Sequence, residues 1–272
     1  MNYNRVFTFG CSFTQFFWPT WSDIIEYDMK LPTQNWGMCG LGNVGIAHRL
    51  LEADATHKFT ENDLIMVLWS TWPRECRVIN GQWQPAGNIF NNTDLYNSKF
   101  RKTYWSANND IIKNVGAIHM AGKSFPITYQ ATTYNPHESL HDDIYNNEIF
   151  YSTLSKNIDY ISSLDRFSWN HSWKHDKKSF DGAMLHVDNH PDIEANLKFV
   201  EECIYPKINR VLKDSTREYY MRMHNKVVDM GKSGITKKEI TEWSGHNGIG
   251  AFFKRHFQFD GESKRHGIPF NK

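Results

Sequence analysis

The chain has 272 residues, enough to bury a full core in one large domain with room for an appendage. Its 31 Lys+Arg nearly balance 30 Asp+Glu, which argues against a protein that coats nucleic acid. The four cysteines (Cys11, Cys39, Cys76, Cys203) form no Cys-x-x-Cys pair, which argues against a zinc ribbon or disulfide framework and for a reducing compartment. No basic-then-apolar leader and no apolar run near ~20 residues is visible, so a cytoplasmic location without membrane contact is expected.

The first element is a short buried strand carrying Val6, Phe7 and Phe9, which stops at Gly10-Cys11-Ser12. A strand that ends in Gly-small-Ser turns sharply and lifts a hydroxyl off the end of a sheet, the edge where open α/β sheets bind ligands. A helix starting near Phe13 would place free N–H groups beside Ser12. From Trp21 the spacing through Ile24 and Ile25 predicts a core-facing helix, with Pro19 in its first turn. Phe16 to Trp18 follow Ser12 closely enough to wall a pocket. Asn35-Trp36-Gly37-Met38-Cys39-Gly40-Leu41-Gly42-Asn43 is a loop built for close backbone approach, followed by a helix over 44–51.

Asp63 to Trp69 is continuously apolar after its first residue, as a central parallel strand is, and Ser70-Thr71-Trp72-Pro73-Arg74 stands at its carboxyl end. Residues 77–135 are expected to hold an insertion or lid, poor in periodicity over 77–109 and carrying Trp83, Tyr96, Tyr104 and Trp105 as candidate stacking residues. One or two helices are expected within 138–165. The histidines of Trp169-Asn170-His171-Ser172-Trp173-Lys174-His175-Asp176 lack a third ligand in register, which argues against a metal site. Asp188-Asn189-His190-Pro191 precedes a helical pattern of Ile193, Leu197, Val200 and Ile204.

A Gly-x-Ser after the first strand, an Asn-x-Gly-x-x-Gly loop after the second and an Asp…His-Pro before a late helix together resemble the SGNH (GDSL-like) hydrolase superfamily over roughly 5–210. The resemblance implies a three-layer α/β/α flavodoxin-like sandwich with a mainly parallel sheet over 1–212. It implies a serine esterase that needs no cofactor and no metal: Ser12 as nucleophile, His190 as its base, Asp188 as the group orienting the imidazole. It also implies oxyanion donors at the Ser12 and Gly40 N–H groups.

Two departures stand out. Where the family has Gly-x-Asn-Asp this chain has no such Asn, so Ser70 or Thr71 is the candidate third donor. The run there is similar to a version with Trp, Ser or Thr, and Arg in phage-type relatives. The Asp188-x-His190 spacing is also one residue shorter than usual. Asn43 is a candidate for ordering its loop or the substrate, and Arg74 for an anionic substrate group.

The expected substrate is a small-molecule or glycan ester carrying an O-acetyl or similar acyl group. The competing readings are a non-catalytic binding protein on the same scaffold, or nucleic-acid binding through residues 221–272. That stretch, part of a basic helical appendage over 213–272, holds ten basic against five acidic residues and has the outline of helix, Gly turn, helix.

Overall fold

The computed structural model describes residues 3–16, 18–79, 82–90, 96–133, 190–232, 253–259 and 266. By contacts the chain divides into two compact units, one of Met1–Gln15, Leu31–Asp165 and Arg265–Lys272, the other of Phe16–Lys30 and Arg166–Lys264.

The first unit is built on four parallel strands: β1 (Arg5–Gly10), β2 (Thr33–Asn35), β3 (Asp63–Trp69) and, after a hairpin, β6 (Tyr129–Thr132). Their spatial order is β2-β1-β3-β6. Every neighbouring pair is parallel, with β1 and β3 in register from Arg5↔Asp63 to Gly10↔Leu68. This is α/β architecture in the flavodoxin-like order 2-1-3-4, in which the chain moves one way from β1 to β2 and then the other way to β3. The crevice between the carboxyl ends of β1 and β3 is therefore the topological switch point.

Alternation along the strands sends Phe7, Phe9, Ile65, Val67 and Trp69 into one core. Helix α2 (Asn43–His57) adds Ile46, Leu50 and Ala53, and α4 (Ala107–Ser124) adds Ile111, Val115, Ile118 and Ala121. The alternate residues Val6, Leu64, Met66 and Leu68 are buried as well, so the sheet is shielded on both faces, as a parallel sheet requires.

The stretch expected as an aperiodic insertion is more ordered than its composition suggests. It holds an antiparallel hairpin, β4 (Arg74–Ile79) and β5 (Gln82–Asn88), then α3 (Ser98–Tyr104), then α4 and β6, which belong to the parallel sheet unit itself. The apolar stripe of α4 was masked by its Asn-rich surroundings. Of the candidate stacking aromatics, Tyr96 is buried and Tyr104 is exposed, while Trp105 donates Nε1–H to Asp110 (2.8 Å).

The second unit contains α1 (Trp21–Met29), α5 (Ile193–Phe199), a π-helical turn (Val200–Ile204) running into α6 (Tyr205–Lys207), and α7 (Asp214–Lys232). A buried carboxylate ties it together. Asp28, at the end of α1, accepts hydrogen bonds from Tyr205 Oη (2.7 Å), Thr216 Oγ1 (2.7 Å) and the Lys213 N–H (3.1 Å). Burial first, then that carboxylate, pushes the Tyr205 phenol well up. Helix α7 packs on α5 and α1. The helices expected over 138–165, the histidine-rich run at 169–176 and most of the helix-turn-helix outline lie outside the described residues; of the last, a helical turn at 253–257 is described.

Candidate functional site

Three loops meet at the carboxyl edge of the sheet in the first unit. The loop after β1 carries Ser12. No helix starts at Phe13; instead one tight turn forms, with the Thr14 and Gln15 N–H groups both donating to the Cys11 carbonyl (2.9 and 3.3 Å). Gly10 permits this turn, because a Cβ there would lie 2.0 Å from Thr14 Oγ1 and 2.8 Å from the Leu68 carbonyl. Ser12 itself is buried.

The loop after β2 is latched to that turn. The Met38 N–H donates to the Gly10 carbonyl (3.1 Å), extending the β1–β2 pairing beyond the strands. Asn35 accepts from the Gly37 N–H (2.9 Å) and donates Nδ2–H to the Thr14 carbonyl (2.8 Å), so one side chain bends its own loop and holds the serine turn. Sequence reading missed this role; the signal was an Asn two residues before Gly. Gly40 takes φ +80°, a conformation that suits glycine, and its carbonyl accepts from Gly87 of β5 (3.2 Å). Among the described residues, neither the Ser12 nor the Gly40 N–H makes a backbone hydrogen bond.

The loop after β3 is held by Asn43, the first residue of α2. Its Oδ1 accepts from the Ser70 N–H (2.7 Å) and its Nδ2 donates to the Ser70 carbonyl (2.9 Å). Asn43 is wholly buried, so the amide is committed to ordering the chain. That leaves the Ser70 hydroxyl fully enclosed and without a hydrogen-bond partner among the described residues. Thr71 is partly buried. The chain then turns at Trp72-Pro73, where the Trp72 carbonyl accepts from the Arg74 N–H (2.8 Å) and from Asn114 Nδ2 of α4 (3.1 Å).

His190 belongs to the second unit, just before α5. Its ring stacks on Phe16 with centroids 3.8 Å apart, and Trp18 meets it edge-on at 6.2 Å. Trp18 Nε1–H donates to the Pro191 carbonyl (2.9 Å), as does Asn196 Nδ2 (3.1 Å), and Asp192 caps α5 by accepting from the Ala195 N–H (2.8 Å). Phe16 and Trp18, read from sequence as pocket walls, thus embrace the histidine. Asp188 lies outside the described residues.

Among the described residues no group of three or more His, Cys, Asp or Glu could hold a metal ion, and no helix is long and apolar enough to cross a membrane. No family model matches the chain, and neither does any curated protein. Among solved structures, the chain is similar to a member of the lipolytic protein G-D-S-L family from Veillonella parvula DSM 2008. The two are 11% identical over 72% of this chain and 93% of that one, with a TM-score of 0.36. A likeness that slight leaves the assignment of function to the residues themselves.

Proposed function

We propose that this chain is a serine-dependent ester hydrolase, acting on an acyl ester of a small or carbohydrate-like alcohol. The observation that supports the reading is the buried Ser12 on a tight turn at the β1/β3 switch point, with the loops of β2 and β3 latched around that edge by Asn35 and Asn43. In this reading the Ser12 hydroxyl attacks a carbonyl whose oxygen becomes negative, and the main-chain N–H groups of Ser12 and Gly40 stabilise that oxygen. His190 accepts the Ser12 proton as Oγ bonds to the acyl carbon. The same imidazolium returns the proton to the leaving alcohol. Water then repeats the cycle to release the acid. Asp188 holds the imidazole, and Ser70 or Thr71 supplies the donor that an Asn gives in the resembled family. Nothing in the chemistry calls for a metal or organic cofactor.

The test is labelling with a fluorophosphonate probe, paired with turnover of p-nitrophenyl acetate. Wild type is expected to label and to turn over slowly, since one missing oxyanion donor costs roughly 10²–10³ in rate. Ser12→Ala should do neither. A wild type that neither labels nor hydrolyses would leave the competing reading, a binding protein on the same scaffold.

A further inference from the structure

Among the described residues no carboxylate pairs with Arg74. Its Nε and Nη1 are shut off from solvent and have no hydrogen-bond partner among the described residues. The side chains of four other described arginines have partners. Arg5 forks onto Asp63, Arg217 pairs with Glu201, and Arg49 and Arg101 donate to main-chain carbonyls. A guanidinium stays protonated at any ordinary pH, so enclosing part of it unpaired is costly unless a ligand supplies the countercharge.

Its position is fixed from two sides. The Trp72 carbonyl holds the turn through the Arg74 N–H and Asn114, and Gly42 packs so closely that a Cβ there would lie 2.5 Å from the Arg74 carbonyl oxygen. Gly42 precedes Asn43, whose amide clamps Ser70, and the Ser70 hydroxyl is the second enclosed group without a partner among the described residues. Two unfilled donors therefore stand within five residues, at the carboxyl end of the strand that borders the switch point.

We propose that Arg74 binds an anionic group, a carboxylate or a phosphate, carried by the substrate, so that the enzyme prefers esters bearing a negative charge over neutral ones. The proposal rests on the hydrolase reading for its substrate but not for its ligand chemistry. A planar guanidinium fork matches either anion, and the match is lost with Lys, which offers only a point charge.

The experiment has two arms on the full chain. In the first, calorimetry on Ser12→Ala measures binding of methyl hydrogen succinate, inorganic phosphate and neutral dimethyl succinate, repeated with Arg74→Met and Arg74→Lys added. At least one anion should bind, weaker by about tenfold or more with Met and by less with Lys, while the neutral diester gains nothing from Arg74. Which anion responds distinguishes carboxylate from phosphate. Circular dichroism confirms that the variants fold, and if Met does not, the Lys and Gln variants carry the comparison. In the second arm, kcat/KM for mono-p-nitrophenyl succinate and p-nitrophenyl butyrate should differ at least about tenfold in favour of the charged ester, with Arg74→Met erasing the difference through KM. Absence of anion binding, or binding that Arg74→Met leaves unchanged, overturns the proposal. Arg74-dependent anion binding with no Ser12-dependent hydrolysis overturns only the hydrolase reading.

Discussion

Replacing Asn43 with Ala removes a side chain that fastens the start of α2 to the end of β3. The substitution deletes two hydrogen bonds of 2.7 and 2.9 Å and leaves the Ser70 N–H and carbonyl without those partners in a buried setting. Each orphaned group costs about 1–3 kcal/mol, and the better helix propensity of Ala returns only a few tenths. A net loss of about 2–4 kcal/mol is expected, or roughly 5–15 °C in Tm for a chain of this size. Because the chain holds two compact units, a global melt alone is a blunt reading of a local clamp. Amide hydrogen exchange is sharper: Ser70, one residue beyond β3, should lose its protection while residues 64–68 keep theirs. Asn43→Asp makes the companion, since it still accepts from the Ser70 N–H but cannot donate to the carbonyl. It should protect the amide while remaining less stable than wild type. A loss under about 1 kcal/mol in Asn43→Ala, with Ser70 exchange unchanged, would refute the clamp.

Other outcomes follow from equally local features. Gly42→Ala should cost about 1–3 kcal/mol, because its Cβ would meet the Arg74 carbonyl at 2.5 Å. Gly116→Ala, mid-helix in α4 with nothing within 4 Å, should gain about 0.5–1 kcal/mol; urea unfolding of both variants checks the contrast. Burial alone would raise the Asp63 carboxyl, but hydrogen bonds from Arg5 and Thr60 outweigh it and hold the group below its ordinary value of 3.8. A depressed carboxyl stabilises fully above that ordinary value and loses its contribution as the pH falls through the folded one. Asp63→Asn should therefore flatten the acid limb of stability against pH, as urea midpoints would show. Burial pushes the Cys76 thiol up to about 11, so iodoacetamide at pH 8 should label the partly buried Cys39 well before Cys76, as peptide mapping would reveal. Among variants at the proposed reacting residues, Ser12→Ala and His190→Ala should each abolish esterase activity while Asp188→Asn retains a measurable remainder; equal loss in all three would make the carboxylate indispensable.

The sequence by itself determined the two strands that frame the site. The apolar runs at Val6–Phe9 and Leu64–Trp69 read as buried strands, and they pair directly and in parallel. It also marked the turn at Gly10-Cys11-Ser12 and the glycine loop around Gly40, because those backbones tolerate few other residues. Only the tertiary structure decided what the polar side chains do. Asn43 and Asn35 look alike in sequence, one opening a helix and one ending a strand. Yet the first spends its amide on Ser70, twenty-seven residues away, and the second on the serine turn. Helix α4 was hidden for the same reason: its apolar stripe becomes decisive only when a sheet face is present to receive it. Hydrophobic periodicity is local and survives in a one-dimensional reading, whereas a hydrogen bond between distant loops depends on which strands lie side by side. The unmet hydrogen-bonding capacity of Arg74 and Ser70 among the described residues could be seen only in the folded arrangement.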